Sequence, residues 1–412
     1  MKKLINIFLP YYNHNNILTP NLTFKKKVAF LFFYLDRYIY SPLLHTLLIG
    51  KDVEEKNQLK KYITQRVARK LGISVCTESR DSSGYISHKE NNAFHGVDTN
   101  GRYDGDTGKS YADGKEEITA LWPERISYVT PLEVKKKWEN EKFNVIYIGH
   151  MSILIQTKKF NILIDPVLCN RIGLFSTFGV RRVIKAGITF ENLPSIDFIL
   201  LSNNRFDTMD ISTLKKIIFR DNSIIIGGMN IRRYLLKRNF PVVYPLNWFN
   251  NLKFENLSFY YLPTLTNSHR YLFDKNVYLP GSFLIYDTFT KSSIFYSGHS
   301  AYSNHFLQIK HYVNAIIKNE KIDLSIFPIG IYKPRHIYRN FHMSPKEALR
   351  VRSHFDLNSK ASIGVGADVF CLGGEKYKEA TTELEDALDF HQNEKKKKIN
   401  FFTLQPGQSI TF

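Results

Sequence analysis

The chain has 412 residues, 43% of them apolar and 14% aromatic, which is enough to bury a large layered core and excludes a chain disordered throughout. Its 57 Lys and Arg against 38 Asp and Glu leave a formal charge of +19, a balance that attracts anionic surfaces, either phospholipid or nucleic acid. Cysteine is scarce, and Cys76, Cys169 and Cys371 lack paired spacing, which argues against a disulfide framework or a cysteine zinc knuckle and makes a reducing, cytoplasmic compartment the expectation.

The amino-terminal stretch reads as an attachment. Lys25, Lys26 and Lys27 precede an apolar run, Val28 to Leu35, that Asp36 and Arg37 interrupt before Tyr38 to Gly50. A spanning helix needs about 20 apolar residues and tolerates central charge poorly, so the stretch is expected at an interface or docked on the domain. Leu59, Ile63, Val67 and Leu71 then recur at four-residue intervals, with Lys56, Lys60, Lys61, Arg66, Arg69 and Lys70 on the other faces. That is an amphipathic basic helix. Residues 1–76 hold 13 Lys and Arg against 4 Asp and Glu, a pattern that fits peripheral attachment to an anionic phospholipid membrane. A helix packed on the domain with its basic face in solvent is the plainer alternative.

Over residues 77–118 the apolar pattern disappears, and six glycines among Asp, Ser, Asn and Lys predict a flexible polar loop or linker. Gly105 to Ser110 superficially resembles a phosphate loop, but it lacks the first glycine and no strand leads into it. A third segment, 119–412, is the expected globular domain. Strands are predicted over Phe143 to Ile148, Ile153 to Gln156 and Phe160 to Ile164, with Thr157, Lys158 and Lys159 as a hairpin connection. Further β-rich runs are Ile196 to Leu201, Ser223 to Ile226, Leu257 to Leu262, Phe283 to Tyr286, Ser293 to Tyr296 and Asp323 to Phe327. Phe306, Ile309, Val313 and Ile316 form the stripe of one helix; Ser344, Pro345, Lys346 and Glu347 open another with a capping box and a proline at its first position. A polar run, Glu394 to Lys398, precedes a terminal strand, Phe401 to Leu404. The fold class read from this order is α/β (α+β), a β sandwich with helices outside, the αββα arrangement, plus an N-terminal helical, basic extension.

The segments Ile148-Gly149-His150-Met151-Ser152, Ile162 to Pro166, Leu193 to Asp197, Pro328 to Arg335 and His342 to Ala348 follow in an order that resembles the N-acylphosphatidylethanolamine-hydrolysing phospholipase D-like family of the metallo-β-lactamase superfamily. The resemblance covers roughly Asn144 to Phe412. It implies a two-zinc hydrolase centre, whose first ligands come from a His-x-His-x-Asp-His loop between a strand and a helix. Ser202 to Asp210 stands in that place with other letters: Asn203, Arg205 and Thr208 replace the histidines, and Asp207 alone is kept. Farther on, Thr266 falls on a ligand histidine, His299 on the bridging aspartate and Gly364 on the last histidine.

Zinc takes imidazole nitrogen, anionic oxygen or thiolate at about 2.0–2.3 Å, and catalytic sites use three protein ligands. Asn and Thr are poor donors, Gly has none, and Arg205 brings a permanent cation that repels metal and pairs naturally with Asp207. Without a metal, nothing lowers the pKa of an attacking water toward 7. A catalytically degraded member with a lipid-binding or scaffolding role is therefore expected, with no cofactor. An active phosphodiesterase using a rearranged site, with zinc as its cofactor, is the first alternative. A nucleic-acid-binding member is the second, and it lacks any recognisable motif. Vestigial catalytic candidates are Asp207, His150 and His342, with Asp165 beside them; a turn histidine bonded to backbone, an aspartate capping a loop and a histidine at a helix start are their structural readings. His299, Asp207 and one of these residues would make a new acid/base set or an improvised metal site.

Overall fold

The computed structural model describes Trp122, Pro123, Arg125, Ile126, Val134 and residues 138–412, apart from 174–178, 272–273, 319, 355–358 and 397. The basic extension over 1–76 and the polar loop over 77–118 lie outside the described residues. Strands β1 (Asn144–Gly149), β2 (Ser152–Gln156) and β3 (Asn161–Ile164) form an antiparallel meander, turning through Thr157 to Lys159 as the pattern predicts. A short ribbon follows, β4 (Arg171–Ile172) with β5 (Val180–Arg181). The chain then runs through β6 (Phe198–Leu201), α1 (Ile211–Asp221), β7 (Ile224–Gly228), α2 (Ile231–Leu236) and β8 (Val243–Leu246), so that helical crossovers join parallel strands.

The second half opens with four antiparallel neighbours, β9 (Asn251–Phe254), β10 (Leu257–Leu262), β11 (Ser282–Asp287) and β12 (Ser293–Tyr296). Helix α3 (His305–Ile316) leads to β13 (Ile322–Pro328), α4 (Arg335–Tyr338) and α5 (Pro345–His354) to β14 (Ser359–Val365), and α6 (Glu379–Lys395) to β15 (Phe401–Thr403). Strands β12 to β15 are parallel. Finally β16 (Ser409–Thr411) returns to pair with β1. One sheet has the order β16-β1-β2-β3-β6-β7-β8 and the other β15-β14-β13-β12-β11-β10-β9.

Alternation along the strands sorts the layers. Phe283 and Ile285 of β11 join Ile155, Ile164, Phe198 and Leu200 between the sheets, whereas Leu284 points outward to Phe306, Ile309 and Val313 of α3. On the first sheet α1 buries Leu214, Ile217 and Ile218. The expected αββα sandwich is thus the observed one. Strands β4, β5, β8, β9, β14 and β16 and helices α2, α4 and α6 escaped the sequence reading. The polar run Glu394 to Lys398 begins inside α6, and the strand at Phe401 is followed by one more. Strand β14 was hidden by Lys360 and Gly364, which break its apolar run; parallel pairing to β13 and β15 holds it in place.

Candidate functional site

Because β1, β3 and β6 run in one direction, the loops after them open at one edge of the sandwich. His150 follows β1, where the register slips between Tyr147 and Gly149, and its backbone is left-handed at φ 59°. Asp165 follows β3 at φ 42°. Such conformations are costly for residues with a Cβ and tend to be kept where a side chain must be aimed. After β12 the turn at Gly298, φ 61°, presents His299; a Cβ on that glycine would lie 3.0 Å from Ser202 Cβ. The loop after β6 ends at Asp210, whose carboxylate accepts from Ser212 N at 3.0 Å and caps α1.

These turns bring three distant residues together. His150 Nε2 and His299 Nε2 lie 3.5 and 3.2 Å from Asp207 Oδ2, and all three residues are buried. Among the described residues, neither ring has a hydrogen-bonding partner other than this carboxylate. Arg205 folds over the same carboxylate: Nε donates to Oδ1 at 3.0 Å and Nη2 to Oδ2 at 3.1 Å. Its Nη1 reaches His342 Nε2 at 3.0 Å, and because a guanidinium can only donate, that nitrogen carries the lone pair and Nδ1 the proton. The His342 ring meets the His299 ring edge-on at 4.6 Å, and Phe370 meets His150 at 5.4 Å. The Arg205 side chain remains 24% exposed against 6% for Asp207, so the cation reaches the carboxylate from the solvent side.

Burial governs the electrostatics. It drives the pKa of His299 down to about 4 against the pull of Asp207, and lowers those of His150 and, well below its ordinary value, His342. Burial pushes the Asp207 carboxyl up, but the Arg205 charge and the two imidazoles outweigh it and hold it well below the usual carboxylate range. With the imidazoles neutral at pH 7, Arg205 is the cation that keeps Asp207 ionised. Asp165 behaves differently. Burial raises it to about 7, although Ser202 N donates to it at 2.8 Å, Tyr296 Oη at 2.7 Å and Ser202 Oγ as well. It ties the end of β3 to the loop after β6 and to β12, which is the structural reading.

For His150 the structural reading fails, since its ring bonds no backbone group and faces Asp207 instead. His342 does stand at a helix start, and the expected capping box helps to place it. Ser344 N donates to Glu347 Oε2 at 2.8 Å, Glu347 also holds Arg335 Nη2 at 2.8 Å, and Arg335 Nη1 donates to the His342 carbonyl at 3.0 Å. One residue escaped the sequence reading. Arg270 is buried and donates to the carbonyls of Asn204, Arg205 and Met209, clamping the loop while its guanidinium covers the Phe206 ring. A lone arginine in a polar segment carries no periodic signal that would reveal this.

The remaining ligand-equivalent positions do not fit a two-zinc centre. Asn203 uses its amide on the Asn267 carbonyl at 3.3 Å and its Oδ1 on Asn204 N at 2.8 Å. Thr208 bonds the Asn203 carbonyl at 3.3 Å. Thr266 offers only a hydroxyl, and a Cβ on Gly364 would lie 2.8 Å from Ile329 Cδ1, so the space there is filled. Neutral amide and hydroxyl oxygens stand in place of imidazoles at 203, 208 and 266 and no donor stands at 364, so these positions do not supply the nitrogen ligands of a two-zinc centre.

Several known proteins are similar to this domain. The profile described as Beta-lactamase superfamily domain matches residues 160–363. N-acyl-phosphatidylethanolamine-hydrolyzing phospholipase D 1 of Caenorhabditis elegans is 24% identical over 274 residues, covering 64% of this chain and 74% of that one. The mitochondrial N-acyl-phosphatidylethanolamine-hydrolyzing phospholipase D of Saccharomyces cerevisiae is 27% identical over 229 residues, 54% of this chain and 47% of its own length, so the chain spans about half of that relative. Among solved structures, Igni18, a metallo hydrolase of Ignicoccus hospitalis, is 16% identical with a TM-score of 0.48, covering 66% of this chain and 98% of that one.

Proposed function

We propose, for a chain that belongs to the metallo-β-lactamase superfamily and is related there to the N-acylphosphatidylethanolamine-hydrolysing phospholipases D, that hydrolysis at a two-zinc centre has been given up for binding. One observation carries this reading: Arg205 forks across Asp207, the one kept ligand-equivalent residue, and supplies the positive charge a metal would bring. A guanidinium offers no empty orbital to polarise a phosphoryl oxygen and no bound water to ionise, so the pair maintains the loop without the chemistry. The ligand we favour is an anionic phospholipid surface. The net charge of +19 supports it, as does a cleft of about 430 Å³ beside α1 lined by Arg125, Lys185 and Lys216, with Glu191 as the opposing charge.

The test is direct. Purified in zinc-containing medium and dialysed, the protein should hold well below one zinc per chain by elemental mass spectrometry, and it should release no N-acylethanolamine from N-acylphosphatidylethanolamine above a blank. Two zincs surviving dialysis, or zinc-dependent turnover, would end this reading. The two buried imidazoles facing Asp207 favour a second one, a hydrolase with a rearranged acid/base set. Zinc-independent turnover that disappears in His299→Ala would select it.

A further inference from the structure

We propose that His150, Asp207 and His299 form a latent site for one transition-metal dication of the Zn²⁺, Co²⁺ or Ni²⁺ type, and that the guanidinium of Arg205 is its resident competitor. The inference rests on reading Arg205 as the occupant of the centre. Its ligand set is not the one the family resemblance implies: Asp207 alone is shared, His150 lies outside the family's ligand positions, and His299 stands where an anion is expected.

Geometry and unmet bonding both point to it. Ligand atoms about 2.0–2.2 Å from a tetrahedral cation stand roughly 3.3–3.6 Å apart. Here the two Nε2 atoms are 3.5 and 3.2 Å from the same carboxylate oxygen, and all three donor atoms fall within 4.8 Å of one another. The ring nitrogens of His150 and His299 are buried with no partner among the described residues except this one carboxylate, so a single Asp207 oxygen serves two imidazoles. A cation at their common focus would satisfy one nitrogen of each ring. Two imidazoles and one carboxylate are the donor set of many three-ligand sites, and their nitrogen content selects zinc-like ions over Mg²⁺ and Ca²⁺, which prefer oxygen.

Arg205 explains why the site is latent. Oδ2 of Asp207 already accepts from Arg205 Nη2 at 3.1 Å, so a dication on that oxygen would stand beside a guanidinium with one carboxylate to serve both. Their repulsion in a poorly solvated pocket makes the two occupants mutually exclusive. The exposed quarter of the Arg205 side chain provides the way out, with loss of its contact to His342.

Cobalt titration of the full chain, followed by visible absorption and by equilibrium dialysis, tests the idea. Arg205→Gln keeps a hydrogen-bond donor for Asp207 but removes the charge, and it should bind one Co²⁺ about 100-fold more tightly than the wild type, the scale expected when a buried pair no longer competes. His299→Ala or His150→Ala added to Arg205→Gln should abolish that binding, and millimolar Mg²⁺ should not displace the cobalt. A folded Arg205→Gln protein, judged by circular dichroism, that binds cobalt no better than wild type would overturn the proposal. So would tight binding that survives the loss of His299. Should Arg205→Gln not fold, the weaker wild-type cobalt site decides: it must vanish in His299→Ala, and an unchanged affinity overturns the proposal. Two tightly held zincs in the wild type would defeat the reading of the function itself, whereas a zinc-free wild type with a cobalt-blind Arg205→Gln would defeat this inference alone.

Discussion

Arg205 lies two residues before Asp207 in one loop, yet it turns back to hold both carboxylate oxygens, at 3.0 and 3.1 Å. The carboxylate lies deep and the guanidinium stands at the solvent side, so the pair closes the loop between β6 and α1. A short-range, partly buried pair of this kind is a stability element of the loop.

Removing the cation alone should expose that role. Arg205→Ala leaves a buried carboxylate beside two neutral imidazoles, and truncating one partner of a buried pair costs about 3–5 kcal/mol, with the lower end expected for a guanidinium that is one-quarter exposed. Arg205→Ala with Asp207→Ala should cost less than the two single losses added together, by roughly 1–3 kcal/mol. Urea denaturation of the four proteins measures this, and additive behaviour would remove the pair from the account.

Restoring histidines at positions 203, 205 and 208 together should not restore a two-zinc hydrolase. Thr266 offers only a hydroxyl, Gly364 offers no donor and His299 stands where a bridging carboxylate is expected, while Asn203 and Thr208 now hold the loop through their bonds to Asn267, Asn204 and the Asn203 carbonyl. The triple variant should hold at most one zinc, show no phosphodiester turnover and be less stable than the parent. Zinc content and turnover measured on one preparation check this, and recovered activity would show that the second half of the centre is dispensable.

The acid limb of stability should carry the mark of His305. Its ring is buried with Nδ1 2.6 Å from Ser303 Oγ and Nε2 3.2 Å from Ser300 Oγ, and burial lowers its pKa to about 3 from 6.5. The unfolded chain therefore binds a proton near pH 6.5 that the folded chain refuses until about pH 3, so stability is full above 6.5 and falls as pH falls through this window. One such residue costs about 1.4 kcal/mol per pH unit. Stability measured against pH for wild type and His305→Asn should differ in slope by about that amount between these limits, and parallel curves would contradict it.

The amino-terminal basic segment should bind membranes. Each well-placed Lys or Arg contributes on the order of 1 kcal/mol at an anionic surface, and salt screens it. Full-length protein should sediment with phosphatidylserine vesicles, less so at high salt, while a chain starting at Thr119 should stay largely in solution. Equal sedimentation of both would move the contact to the domain and its Arg125, Lys185 and Lys216 cleft.

Much of the fold was legible because its strands are buried on both faces and read as apolar runs; all seven residues of β13 are buried. The capping box at Ser344 and Glu347 was legible because its chemistry is local. Strand β9 was not, since its residues are half exposed and it is held by pairing with β10. At the site, the motif gave the Arg205 and Asp207 pair, two residues apart. The approach of His150 and His299 depends on a register slip after Tyr147 and on a left-handed turn at Gly298, and neither leaves a mark in composition or period. Arg270 was unreadable for a related reason: its partners are carbonyls, which every residue has.

The contact between Gly364 and Ile329 couples two positions that lie far apart in the chain. Any side chain placed at 364 meets a methyl group 2.8 Å from its own Cβ. Gly364→His alone should therefore strain the core, and room for the imidazole requires that Ile329 repack or be replaced by a smaller residue. A ligand at this position is thus a matter of two substitutions made together, and the packing of one isoleucine sets that threshold.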